Sequence, residues 1–113
     1  MTEPTTATAD DARRWHFIGT PDDFSEEAAW PVVAGGQELA VFRQGDEIFA
    51  LHDLCTHGAA KLSDGWVENG CVECPLHQGT FDIRTGEACQ APAAEAVRSF
   101  PVRVVAGRVE VEV

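Results

Sequence analysis

Positive charge is what this chain has least of. Lys and Arg number 8 against 19 Asp and Glu, giving a formal net charge of −11 at neutral pH. Phosphate binding depends on clustered cations, and no basic stripe is present, so nucleic acid is excluded as a partner. Long apolar runs are missing too. Nothing approaches the roughly 18 consecutive apolar residues of a membrane-crossing helix, so no membrane span is expected. Met1 to Ala12 is polar and acidic, with neither the basic start nor the apolar stretch of a secretory signal. The expectation for residues 1–12 is therefore a disordered leader, on a cytoplasmic protein, a compartment where cysteines serve as metal ligands more often than as disulfides. At 113 residues there is room for one domain, taken as 13–113, and none for a second catalytic module.

What the chain does have is a concentration of metal-binding side chains. Three of its four His and three of its four Cys lie between His52 and His77. Two short arms stand out, Cys55-Thr56-His57 and Cys74-Pro75-Leu76-His77, each offering one thiolate and one imidazole. Thiolate suits iron in an iron-sulfur cluster, and imidazole binds the same metal without adding negative charge. Arms of type C-x-H and C-x-x-H can each reach both irons of a 2Fe-2S cluster of the Rieske kind, two Cys on one iron and two His on the other. Two ferric ions, two sulfides and two thiolates sum to zero charge. A four-thiolate cluster starts at minus two and resists an added electron more strongly. The competing set is structural zinc, but zinc modules usually group Cys with Cys and His with His, and this chain does neither. A third frame, Cys71-x-x-Cys74-x-x-His77, remains as an alternative ligand set.

The flanks fit a cluster. Gly58 follows the first arm and Gly79 the second, where a missing Cβ lets backbone amides approach a bridging sulfide. Pro75 stiffens the second arm. Between the arms, Trp66-Val67-Glu68 and Cys71-Val72-Glu73 flank Asn69-Gly70, a strong hairpin signal that would carry the second arm back to the first.

Cys55-Thr56-His57-Gly58 and Cys74-Pro75-Leu76-His77-Gln78-Gly79 resemble the two cluster-binding loops of Rieske ferredoxins. Leu62-Ser63-Asp64-Gly65, Phe81-Asp82, Thr85-Gly86 and Phe100-Pro101-Val102 extend the resemblance to the ferredoxin components of bacterial aromatic-ring-hydroxylating dioxygenases, of the naphthalene and biphenyl type. It covers about Trp15 to Val113. The resemblance implies one 2Fe-2S cluster on Cys55, His57, Cys74 and His77, in a monomeric one-electron carrier. The implied partners are a flavin-dependent NAD(P)H reductase and a terminal Rieske oxygenase, docked transiently. It also implies a larger β base with a cluster-binding subdomain over about 55–90. Pro92, in Gln90-Ala91-Pro92, resembles the family's third loop over the cluster.

High-potential respiratory Rieske proteins carry a further Cys in each ligand loop, whereas Ala60 and Leu76 stand at those places. No loop disulfide can form. Gly79 and Phe81 stand where those proteins place Ser and Tyr hydroxyls against the cluster. Hydrogen bonds to the sulfurs raise the potential, so a value near the lower end of the Rieske range of roughly −150 to +300 mV is expected. The outer nitrogens of ligating imidazoles should lose protons at high pH and lower it further.

The coarse reading is all-β, a sandwich or barrel. Trp30 to Ala34, Gln37 to Arg43 and Asp46 to His52 read as a meander broken at Gly35-Gly36 and Gln44-Gly45. Phe100 to Val105 and Val109 to Val113 read as strands joined at Ala106-Gly107, the second alternating apolar and acidic residues. Thr20-Pro21-Asp22-Asp23 would cap one turn of helix. Cys71 and Cys89 are expected as free thiols packed like small apolar residues. His16 and His52 are read as ordinary strand residues, and Trp15, Trp30 and Trp66 as core or half-buried aromatics. An oxygenase reading fails on length, because no further 2-His-1-carboxylate iron domain fits. Alternatives to the carrier are a small Rieske-type subunit of a nitrite reductase or a redox-responsive binding module. The acidic surface would steer the carrier to basic patches or serve solubility alone.

Overall fold

The computed structural model describes residues 15–54, 60–75, 79–90 and 95–113. The leader lies outside them. Among the described residues there is no α-helix, and the all-β expectation holds. The strands are β1 (Trp15–Gly19), β2 (Ala29–Ala34), β3 (Gln37–Gln44), β4 (Glu47–His52), β5 (Trp66–Glu68), β6 (Cys71–Glu73), β7 (Thr80–Asp82), β8 (Ala88–Gln90), β9 (Ser99–Phe100), β10 (Val102–Val105) and β11 (Arg108–Glu112). They form three antiparallel sheets, ordered β1-β11-β10, β2-β3-β4-β9 and β5-β6-β7-β8.

The β2-β3-β4-β9 sheet is the middle layer, and β3 explains why. Its run Leu39-Ala40-Val41-Phe42 has no exposed surface at any of the four residues. Side chains alternate across a strand, so such a run must be covered on both faces. Leu39 and Val41 pack with Ala50, Phe100, Val109 and Val111, toward the β1-β11-β10 sheet. Ala40 and Phe42 pack with Leu51, Val72, Cys74 and Phe81, toward the β5–β8 sheet. Truncating Phe42 to Ala would cost about 3–5 kcal/mol by lost burial and the cavity left behind.

The turns follow local sequence. Asn69 and Gly70 both hold positive φ (55° and 77°) between Glu68 and Cys71, as a two-residue hairpin requires. Ala106 and Gly107 do the same between β10 and β11, with Val105 opposite Arg108. In β11, Val109 and Val111 are buried and Glu110 and Glu112 are partly exposed, as the alternation requires.

Several boundaries differ from the sequence reading. The β3–β4 turn is Gly45-Asp46 rather than Gln44-Gly45, because Gln44 still pairs with Glu47 and the positive φ falls at Gly45. Phe100 to Val105 is two strands. Ser99–Phe100 pairs with β4, and Val102–Val105 pairs with β11. Pro101 has no N–H to give to either ladder, and the chain changes sheets there. The turn at Pro21–Asp23 is 3-10, with the Thr20 N–H donated to Asp23 Oδ2 at 2.9 Å. Trp15 and Trp30 are half-buried, but Trp66 is 61% exposed, because on a three-residue strand its face looks outward.

Candidate metal centre

The first arm grows from the end of β4. Asp53 is 2% exposed, and its N–H bonds the carbonyl of Glu38 at 3.0 Å. Its own carbonyl accepts from the Leu62 N–H at 2.7 Å. The Asp53 carboxylate accepts from the Ser63 N–H and the Ser63 hydroxyl, both at 2.7 Å. Leu54 and Lys61 complete the stem as an antiparallel bridge. Lys61 reaches Glu38 at 3.0 Å, and that hydrogen bond and charge hold its pKa above the ordinary lysine value. Cys55, His57 and Gly58, which this stem carries, lie outside the described residues.

The second arm grows from the β6–β7 hairpin. Val72 stands opposite Phe81 and Glu73 opposite Thr80. The Cys74 N–H then bonds the carbonyl of Gly79 at 2.8 Å, closing the stem. Cys74 has no exposed surface and packs in one cluster with Leu62, Val72 and Phe81. His77 and Leu76 lie outside the described residues.

The stems meet at a glycine. A Cβ on Gly65 would fall 1.9 Å from the carbonyl oxygen of Glu73. Only a residue without a side chain allows the 3-10 turn Leu62–Asp64 to lie against the end of β6, one residue before Cys74. A second such approach secures the third segment. Gly86, at φ +81°, would place a Cβ 2.1 Å from the Val97 carbonyl, and the Val97 N–H bonds the Gly86 carbonyl at 2.9 Å. Pro92, between β8 and Val97, lies outside the described residues.

The Cys74 site suits a cluster ligand. Its sulfur is shielded from water by Leu62, Val72 and Phe81, as a soft-metal ligand requires. Of the expected ligands Cys55, His57, Cys74 and His77, Cys74 is the one whose surroundings are described. Among the described residues, no group of three or more His, Cys, Asp or Glu side chains is arranged to hold a metal. Phe81 carries no hydroxyl and Gly79 no side chain, so neither donates a side-chain hydrogen bond to a sulfur.

Other candidates separate from this site. The Cys71 thiol faces Cys89 at 3.4 Å, while Cys74 points into the core. Cys89 is exposed and Cys71 half-exposed, so neither is packed as a small apolar residue; both sit on the outer face of a sheet whose inner face takes Val72 and Phe81. His52 lies in β4 opposite Leu39, and its N–H bonds the Arg98 carbonyl at 2.8 Å. His16 lies in β1, its ring over Gly35. Asp53 had no role in the sequence reading, and Ser63 and Gly65 entered it only within the Leu62-Ser63-Asp64-Gly65 resemblance. The one signal was an acid set between Leu51 and Leu54 at a strand end.

The chain matches the family description "Rieske [2Fe-2S] domain" over residues 14–101. It is 56% identical to the anthranilate 1,2-dioxygenase ferredoxin subunit of Burkholderia cepacia over 113 residues, all of this chain and 99% of the relative. The ferredoxin of carbazole 1,9a-dioxygenase from Nocardioides aromaticivorans superposes with a TM-score of 0.84 at 32% identity, covering 87% of this chain and 96% of that one. A ferredoxin chain from a complex of reduced oxygenase and oxidized ferredoxin in carbazole 1,9a-dioxygenase superposes with a TM-score of 0.83 at 35% identity, covering 88% and 94%. With sheet order, buried Cys74 and this similarity in agreement, the chain belongs to the Rieske 2Fe-2S domain family, as an electron-transfer ferredoxin component of the aromatic dioxygenase kind that holds one cluster and is not catalytic alone.

Proposed function

We propose that this ferredoxin receives single electrons from a flavin-dependent NAD(P)H reductase and delivers them to a terminal Rieske oxygenase, acting as a cytoplasmic monomer that docks transiently. Full-length similarity to an anthranilate 1,2-dioxygenase ferredoxin subunit supports an oxygenase of that substrate class. Cys55, His57, Cys74 and His77 hold the cluster, in a subdomain of about 55–90 that stands on the β base, and residues 1–12 form its leader.

The observation that carries this reading is the convergence of the two stems. Gly65 brings the first against Glu73, and the Cys74 N–H closes the second on Gly79. Bound there, the cluster would supply one-electron redox chemistry. The chain's own part is to hold the donors rigidly, exclude water from the Cys74 sulfur, and leave Leu54, 49% exposed and next to Cys55, as an apolar contact beside the docking face. Rigid stems keep reorganisation small when an electron arrives.

The assignment is tested by reconstitution. Purified protein should relay electrons from a reductase to an aromatic-ring oxygenase, and failure with an anthranilate-type oxygenase would remove the substrate class. The reduced protein should give the paramagnetic resonance spectrum of a mixed-ligand cluster, and His57→Cys or His77→Cys should shift it. A silent spectrum would indicate zinc. Acidic steering predicts a second-order rate that falls as salt rises.

A further inference from the structure

Cys71 and Cys89 belong to neither arm, yet their sulfurs lie 3.4 Å apart. They open onto a pocket of about 300 Å³ on the outer face of the β5–β8 sheet, lined also by Trp66, Glu68 and Glu73. Two outcomes are available to such a pair, a disulfide or a shared ligand.

Strand spacing decides between them. Cys71 stands opposite Asp82 on β7, and Cys89 lies on β8 beyond it, in the irregularity between the Thr80–Gln90 and Phe81–Ala88 pairs. In a regular sheet two strand spacings are roughly 9 Å, and the irregularity in β8 lets the two side chains close that distance. A disulfide spans Cα separations of up to about 6.8 Å. The thiols meet over β7 at 3.4 Å, and an S–S bond of about 2.05 Å would need β8 drawn further toward β6. An ion between the sulfurs closes the gap instead, since two metal–sulfur bonds of about 2.3 Å at a tetrahedral angle set sulfurs roughly 3.8 Å apart. That is within a few tenths of an ångström of the observed contact.

The surrounding charge acts the same way. Partial desolvation of the thiol against the sheet, then the neighbouring Cys71, Asp82 and Glu87, push the Cys89 pKa up to about 11. The smaller, coulombic part of that shift, from Asp82 and Glu87, is a negative field that would also attract a cation.

We propose that Cys71 and Cys89 form a two-thiol site for a soft divalent cation of the zinc and cadmium class, separate from the cluster-binding arms. Binding forms two metal–sulfur bonds and breaks two S–H bonds, releasing two protons per ion with no change of oxidation state. Water completes the shell on the pocket side, since no third side-chain ligand is in place among the described residues. The ion would brace β6 to β8 across β7, in the sheet that delivers Cys74.

The test uses anaerobic, cluster-loaded protein titrated with Cd²⁺. One ion per chain should bind with a thiolate charge-transfer band and close to two protons released. Cys71→Ser or Cys89→Ser should weaken binding roughly tenfold or more, as loss of even an outer-shell partner does. The cluster's paramagnetic resonance spectrum should not change. Unaltered Cd²⁺ affinity in the double variant, or loss of the cluster signal in step with Cd²⁺ uptake, would overturn the proposal. So would peptide mapping of a Cys71–Cys89 disulfide after mild treatment with a small-molecule disulfide, because it would refute the reach argument.

Discussion

The buried carboxylate of Asp53 holds Ser63 with both of its oxygens, Oδ1 on the backbone N–H and Oδ2 on the hydroxyl, each at 2.7 Å. These are charge-assisted bonds across the base of the first arm.

Asp53→Ala removes both acceptors and orphans the Ser63 N–H, which costs about 1–3 kcal/mol for that group alone. Ser63→Ala removes one donor and leaves the other bond in place. Denaturant midpoints should therefore fall further for Asp53→Ala, and its iron content per chain should fall with them. Equal losses would show that the backbone bonds of Asp53 set the stem unaided.

Gly65→Ala drives a Cβ into the Glu73 carbonyl, which is backbone and cannot swing aside. Gly36→Ala is the control, because its position is open although its φ is +79°. The control should lose about 1 kcal/mol, the usual scale of a glycine backbone effect. Gly65→Ala should lose several times more in thermal or chemical unfolding, and should retain less iron.

The potential should lie near the lower end of the roughly −150 to +300 mV Rieske range, because Gly79 and Phe81 offer the sulfurs no side-chain donor. Potentiometric titration to a value well above zero would refute this.

Cys89 gives a pH prediction with a definite sign. Its pKa is raised from 9.0 to about 11, by burial first and then by Cys71. The folded state therefore holds this proton more tightly than the unfolded state, and the stability it contributes is complete below pH 9 and lost as pH rises toward 11. Alkylation of Cys89 should accelerate toward pH 11 rather than pH 9. In Cys71→Ser the profile should move to lower pH, since one of the causes is gone. Rates followed by mass spectrometry check both statements.

The family was legible because cluster chemistry constrains residue type and spacing along a short stretch of chain. The Asn69-Gly70 hairpin and the alternation of Val109 to Val113 follow from local rules. Asp53, Gly65 and Gly86 were not legible in the same way. Their partners Ser63, Glu73 and Val97 are eight to eleven residues away, and an acid or a glycine announces nothing about a distant carbonyl. Trp66 and Cys89 were misplaced for a related reason. Their residue types favour burial, but which face of a three-residue strand is covered depends on the sheet it joins.

By itself the sequence determined the family, the absence of the extra loop cysteines, the net negative charge and the all-β class, because each depends on residue identity or short-range periodicity. Only the tertiary structure decided that β3 is covered on both faces, that Pro101 hands the chain from one sheet to another, and that the two stems abut at Gly65. It alone brought Cys71 and Cys89 together over β7. Those relationships are set by strand register and sheet stacking, which join residues that no local pattern connects.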